Sequence, residues 1–267
     1  MKTGERIYRY AVATRASHWL WVIAFAVMVS SGLQIFNAAP FLDASDTTNP
    51  AHRVLEIGST SPGVGTTVIF GHSFNTTGWL GYTDDGMGGH GPRAFPGWIT
   101  IPSYQDLADG RRWHLFFAWI AIVCGVTWVI SALMKGSLQK MLLRPSDLPK
   151  LWPMQAYYLR LRKEPPEHGV YNPLQKAAYT SVLVILAPLV VLTGLALSPG
   201  IDAVAHPLTV VFGGRQFARL WHFIAMVLLI GFFLVHTFQV LTQGVINQMN
   251  AMVTGWYRLG EGEGAGP

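Results

Sequence analysis

Two histidines, His222 and His236, stand inside the apolar run RLWHFIAMVLLIGFFLVHTF at 219–238. An imidazole titrates near neutrality and ligates transition metals through a ring nitrogen. Placing one in hydrocarbon is costly unless something engages it, so an intramembrane histidine is read first as functional. On an α-helix, fourteen residues rise roughly 21 Å and make almost four turns, which puts the two rings on nearly one face at two depths. Two more histidines sit at the edges of apolar runs, His18 in RASHWLW and His114 in GRRWHLFFAW, while His52, His72, His90, His168 and His206 fall in connecting segments.

The elements that must position these rings follow from composition. The chain has 267 residues, 51% hydrophobic and 12% charged, against roughly 25% charged in an ordinary soluble domain. Four apolar stretches, 17–36, 113–134, 177–198 and 218–243, each reach the roughly 20 residues that span a bilayer as a helix. The first exceeds a typical signal-peptide core of about 7–15 residues and is read as a spanning helix. Lys2, Arg6, Arg9 and Arg15 precede it, and Lys135, Lys140, Arg144, Lys150, Arg160, Arg162, Lys163 and Lys176 crowd the 135–176 connection. Residues 37–112 instead carry Asp43, Asp46, Glu56, Asp84, Asp85, Asp106 and Asp109. The positive-inside rule then puts both termini and the 135–176 loop in the cytoplasm and residues 37–112 outside, as in a multi-pass protein of a bacterial inner membrane. The basic balance reflects this topology and contact with anionic lipid, and no basic-aromatic nucleic-acid pattern accompanies it.

This topology sorts the four histidines by depth. His18 meets His236 at the inner level and His114 meets His222 at the outer one. Two imidazoles facing each other across a bundle can grip one metal axially, and haem suits the slot because its flat apolar macrocycle fills the space between helices. Cys124 is the only cysteine, which excludes a disulfide, a thiolate-held iron-sulfur cluster and covalent CxxCH haem. Arg15, Arg112 and Arg219 lie two or three residues before a histidine, where guanidinium forks suit haem propionates or serve as membrane anchors. Gly32 and Gly194 fall at the outer level and would let a porphyrin edge approach; small residues also serve plain helix packing. Trp19, Trp21, Trp113, Trp221 and Trp256 read as an interfacial belt.

Between the spans, residues 37–112 are rich in Gly, Pro and aromatics and are expected to form a long irregular outer loop, either a cap on the helix ends or a docking surface. WPMQAYYLRLRK and VINQMNAMVTGWYRL read as interfacial helices, and EGEGAGP as a mobile tail. SSGLQI and LTGLAL close the first and third stretches with a faint echo of each other.

The motifs RASHWLW at 15–21, GRRWHLFFAW at 110–119, YNPLQKAAY at 171–179 and the two histidines of the last stretch resemble the four-helix di-haem cytochrome b membrane subunits of bacterial thiosulfate reductases, Ni,Fe-hydrogenases and formate dehydrogenases. The resemblance spans about 15–245, and the GWLGY to GRRWH loop is most similar to the thiosulfate-reductase branch. It implies an all-α membrane domain over 1–267 with two stacked b haems and a quinone pocket beside the inner one. Asn172 is implied in that pocket, with Gln175 and Lys176 as neighbours; Asn172 before Pro173 is also a good helix N-cap. The resemblance further implies a periplasmic molybdenum-cofactor oxidoreductase as electron partner. The expected function is electron transfer between membrane quinone and that enzyme, in a respiratory chain, with self-association left open. The alternatives are a stand-alone di-haem oxidoreductase acting on superoxide or another small substrate, a metal transporter, which the absence of Asp and Glu from the four stretches disfavours, and a structural anchor, which leaves the histidines unexplained.

Overall fold

The computed structural model describes residues 5–134, 136–169, 171–242 and 244–258. Lys2, Lys135, Gln243 and the EGEGAGP tail lie outside the described residues. Among the described residues four helices are long and apolar enough to cross a membrane: α1 (Val12–Phe36), α2 (Leu107–Met134), α3 (Pro173–Leu197) and α4 (Arg215–Thr242). A fifth, α5 (Val245–Thr254), follows α4. Among the described residues there are, besides several short helices, eight strands: β1 (Arg6–Tyr8), β2 (Phe41–Asp43), β3 (Arg53–Ser61), β4 (Val64–Ile69), β5 (His72–Asn75), β6 (Gly81–Asp84), β7 (His90–Arg93) and β8 (Trp256–Arg258). No more than 22% of any span's most apolar window is buried within the chain, so most of each helix presents apolar side chains outward, as a lipid solvent requires.

Each span begins or bends for an identifiable reason. The Asp106 carboxylate accepts from Asp109 N–H at 2.9 Å and caps α2. At α3, Asn172 and Gln175 form a reciprocal capping box ahead of Pro173. Within α3, Ser181–Leu186 widen into a π-helical turn, and Ala187 N–H reaches back to Val182 O. Pro188 follows immediately and has no N–H to give the preceding turn, which accounts for the change of pitch there. Gly213 and Gly214, at φ 81° and 96°, turn the chain into α4. A Cβ on Gly214 would strike the Asp46 main chain.

Contacts divide between two compact units, each built from parts of all four spans. The first, here the terminal unit, takes residues 1–19, 125–188 and 227–267. In it β1 pairs antiparallel with β8, Ile7 opposite Tyr257, and these two pack with Tyr10 against Ala251 of α5. The short helix Leu151–Tyr158 lies in the WPMQAYY segment.

The second, here the sheet unit, takes residues 20–124 and 189–226. The stretch expected to be irregular folds instead into an antiparallel sheet of order β2-β3-β4-β5 and a β6-β7 hairpin. Phe36, Leu42, Ile57 and Ala94 form its core, with Leu220 and Phe223 packed against them. A buried arginine ties this layer to the end of α1. Arg93 donates to Gln34 Oε1 at 2.5 Å and Thr100 Oγ1 at 2.7 Å, and to the carbonyls of Ser103 at 2.5 Å and Asp85 at 2.8 Å. Gln34 in turn occupies the space that a side chain on Gly110 of α2 would need, its Cγ 2.8 Å from that Cβ position.

Arg93→Met keeps the volume but strips four acceptors of their donor. A loss of about 3 kcal/mol is expected from those unsatisfied groups. It should be read as faster limited proteolysis within 37–112 while the helical circular dichroism of the spans is retained.

Candidate functional site

In the sheet unit, His114 of α2 and His222 of α4 bring their ring centroids to 6.1 Å, at 63° between planes. His114 Nδ1 lies 3.0 Å from Met28 O and 3.2 Å from Ser31 Oγ. A carbonyl can only accept, so Nδ1 carries the proton and Nε2 keeps its lone pair. His222 Nδ1 lies 3.1 Å from Thr193 Oγ1. The Thr193 hydroxyl gives its one proton to Leu189 O at 2.6 Å, so it accepts from His222, and again Nε2 is left as the ligating atom.

Directly after each hydroxyl residue comes a glycine. A Cβ on Gly32 would lie 3.4 Å from His114 Cε1, and one on Gly194 would lie 3.2 Å from His222 Cε1. The glycines read from the sequence as room for a porphyrin edge thus make room for the imidazoles themselves. Ser31-Gly32 and Thr193-Gly194 are equivalent seats, one in α1 and one in α3, and this is the physical content of the echo between SSGLQI and LTGLAL. Ser31 and Thr193, both fully buried, were missed as site residues although that echo was their signal.

In the terminal unit, His18 of α1 and His236 of α4 stand 6.4 Å apart between centroids, at 56°. Phe232, one turn before His236, stacks on its ring at 6.1 Å and 16°. His18 Nδ1 is buried and has no hydrogen-bond partner among the described residues. The start of α1 is held by α5, since Arg15 donates to Val253 O and Trp19 Nε1 donates to Met252 O at 3.1 Å. These are last-turn carbonyls that α5 itself leaves without donors.

Both separations fit two imidazoles sharing one metal. A bond of about 2 Å on each side, plus about 1.2 Å from nitrogen to ring centre, sums to about 6.4 Å. Among the described residues no third His, Cys, Asp or Glu joins either pair to form a larger ligand cluster. Two axial imidazoles without further protein ligands are the donor set that a planar macrocycle completes.

The residues proposed around the pairs separate. Arg112 is 79% exposed and paired with Asp109 at 2.8 Å. Arg219 donates to Ala39 O and lies over the rings of Phe36 and Phe41. A small recess beside His236 is lined by Gln175, Ala178, Tyr179, Phe232 and Gln239 among others. Of the three residues implied for a quinone pocket, only Gln175 reaches it. Asn172 caps α3 and donates to the Tyr158 hydroxyl at 3.2 Å. Lys176 forms an ion pair with Asp147 at 3.0 Å. Tyr179 and Gln239 line the recess without having been singled out in the sequence.

Residues 9–255 match the family model described as prokaryotic cytochrome b561. A protein of Azospira oryzae provisionally named protein-methionine-sulfoxide reductase subunit YedZ1 is 25% identical over 223 residues, covering 83% of this chain and 84% of its own.

The Arg144 backbone N–H and Lys176 hold the Asp147 carboxyl below the usual carboxylate range. A depressed folded-state value means the stabilisation is present above the ordinary carboxylate pKa of about 4 and is lost as pH falls through the lower folded value. Asp147→Asn should therefore unfold at lower temperature than wild type at pH 7. The gap should close on acidification, as melting curves collected across that range would record.

Proposed function

The chain belongs to the prokaryotic cytochrome b561 family of membrane electron-transfer proteins, and from that premise we propose that it carries electrons between membrane quinone and a periplasmic oxidoreductase through two b haems. His114 and His222 would hold one iron, His18 and His236 the other. The observation that supports this most directly is the pair of matched ring separations, 6.1 and 6.4 Å. When bound, haem supplies a reversible one-electron centre.

The rest is the work of the chain's own side chains. Ser31 and Thr193 fix the tautomer and azimuth of the outer imidazoles, so that Nε2 is presented without reorganisation. Phe232 stacks along His236 and limits its rotation. Arg15, Arg112 and Arg219 each keep N–H donors beyond those their protein partners take, and these are assigned to the propionates. Beside His236, Gln175 and Gln239 offer amide donors to a quinone carbonyl, and Tyr179 offers a hydroxyl that can exchange a proton as the quinone changes charge. Asn172 and Lys176 act outside this recess, the one capping α3 and the other tying its first turn to Asp147.

The N- and C-terminal ends are assigned to the cytoplasm and residues 37–112 to the periplasm, where the sheet unit's surface meets the partner. The relative's name makes that protein a reductase subunit, and the sequence resemblance to thiosulfate-reductase subunits points the same way. A reductase acting on an oxidised sulfur compound is the partner that both suggest, and the sequence resemblance alone adds a molybdenum cofactor to it.

Purified wild-type protein is expected to give two b haems per chain by pyridine haemochrome. His222→Ala and His236→Ala should each lose one and retain the other, and a variant that loses neither refutes the pairing. Gln239→Leu and Gln175→Leu are each expected to raise the KM for quinol about tenfold through one lost hydrogen bond, with haem content unchanged. Asn172→Ala should leave KM near wild type and cost about 1 kcal/mol as a lost cap.

A further inference from the structure

At the terminal unit's surface, the β1-β8 ladder sets Arg6 directly opposite Arg258. Strand alternation explains which way they face. Ile7 and Tyr257 are taken by the small core with Ala251, so Arg6 with Tyr8 and Arg258 with Trp256 share the other, exposed face. Tyr8 and Trp256 confirm the register by meeting edge to face at 5.4 Å. Like charges opposite one another on a ladder destabilise it. Among the described residues no carboxylate pairs with either guanidinium.

The polar neighbours do not neutralise these cations; they hold the main chain of the strand that carries Arg258. Asn247 donates to Arg258 O at 2.7 Å and accepts from Arg258 N–H at 2.9 Å, and Asn250 donates to Trp256 O at 3.1 Å. The strand that carries Arg258 is thus tied to α5 by its main chain, and the guanidinium is left available. Both arginines line a groove of about 860 Å³ that is also lined by Leu241 at the end of α4, Ile246 in the first turn of α5, and Trp256, which flanks Arg258 on the same strand face. Ile246 is 84% exposed and Leu241 59%.

We propose that this groove binds one anionic phospholipid, its phosphodiester between Arg6 and Arg258 and its acyl chains along Leu241, Ile246 and Trp256. Two guanidiniums carried on facing strands match the oxygens of a phosphate. The apolar wall selects the source, because a free phosphate would leave Leu241 and Ile246 in water. The position suits a lipid as well, since the groove opens where a spanning helix ends and an interfacial helix begins. The site shares no residue with either histidine pair and does not depend on the haem assignment.

The test uses the full chain, purified in mild detergent, with native mass spectrometry reporting retained lipid. Phosphatidylglycerol, phosphatidylcholine of the same acyl chains and inorganic phosphate are the three probes. Wild type should retain one phosphatidylglycerol under conditions that strip phosphatidylcholine. The Arg6→Gln/Arg258→Gln variant should weaken that retention by about tenfold or more, given the attraction of each basic residue to an anionic headgroup. Arg6→Lys/Arg258→Lys should retain most of it, and Arg160→Gln/Arg162→Gln should match wild type. An unchanged far-ultraviolet circular dichroism spectrum in every variant shows that the fold is intact. Equal retention in the Gln variant, equal retention of phosphatidylcholine, displacement of phosphatidylglycerol by millimolar inorganic phosphate, or no retention by wild type would each overturn the proposal.

Discussion

The arrangement depends on one hydrogen-bonding constraint. A neutral imidazole inside an apolar helix bundle has one donor and one acceptor nitrogen, and hydrocarbon satisfies neither. In the sheet unit the donor nitrogen of each ring is matched by a group that can only receive a proton: Met28 O for His114, and for His222 a Thr193 hydroxyl already committed to Leu189 O. The acceptor nitrogen is thereby left toward the opposing ring. Each seat consists of two successive residues, a hydroxyl to orient the ring and a glycine to let it approach. Two helices supply the same kind of pair, a hydroxyl residue followed by glycine, because they solve the same local problem.

This constraint extends outward to the β layer. A ring held by one hydroxyl is only as well placed as the helix that carries the hydroxyl. Ser31 sits one turn before Gln34, and Gln34 is locked on two sides, by Arg93 from the β layer and by the close approach of Gly110 on α2. The β layer therefore fixes the relative register of α1 and α2 at the level where Ser31 meets His114. A buried arginine satisfied by two side chains and two carbonyls is costly to assemble and hard to displace, which suits a residue that joins a surface layer to a membrane helix.

The histidines and the four spans were legible in the sequence because apolar length and ligand chemistry leave signals within a single segment. The β layer was not. Its strands run from three to nine residues, several carry glycine where chains cross closely, and their partners are set by long-range pairing that no local period records. The quinone candidates show the same limit at the scale of one motif. Asn172-Pro173 announces a helix start and a polar pocket equally well in the sequence. In three dimensions the amide is spent on the cap and on Tyr158, and Gln175, one turn on, faces the recess. Gln239 was hidden among TFQVLTQ, where nothing but its position one turn beyond His236 distinguishes it.

The junction of the two terminal segments was least legible, and it bears directly on the pair His18 and His236. Three-residue strands some 250 residues apart, β1 at Arg6–Tyr8 and β8 at Trp256–Arg258, carry too little pattern to announce a pairing. Their ladder nevertheless seats the segment before α1 against α5. There Arg15 and Trp19 supply donors to the Val253 and Met252 carbonyls, which an α-helix cannot satisfy at its own C-terminal end. His18 lies between those two donors in the chain. Its placement follows from helix-end chemistry in a segment that otherwise looks like an accessory tail: the same unsatisfied carbonyls that end α5 fix the turn of α1 from which His18 faces His236.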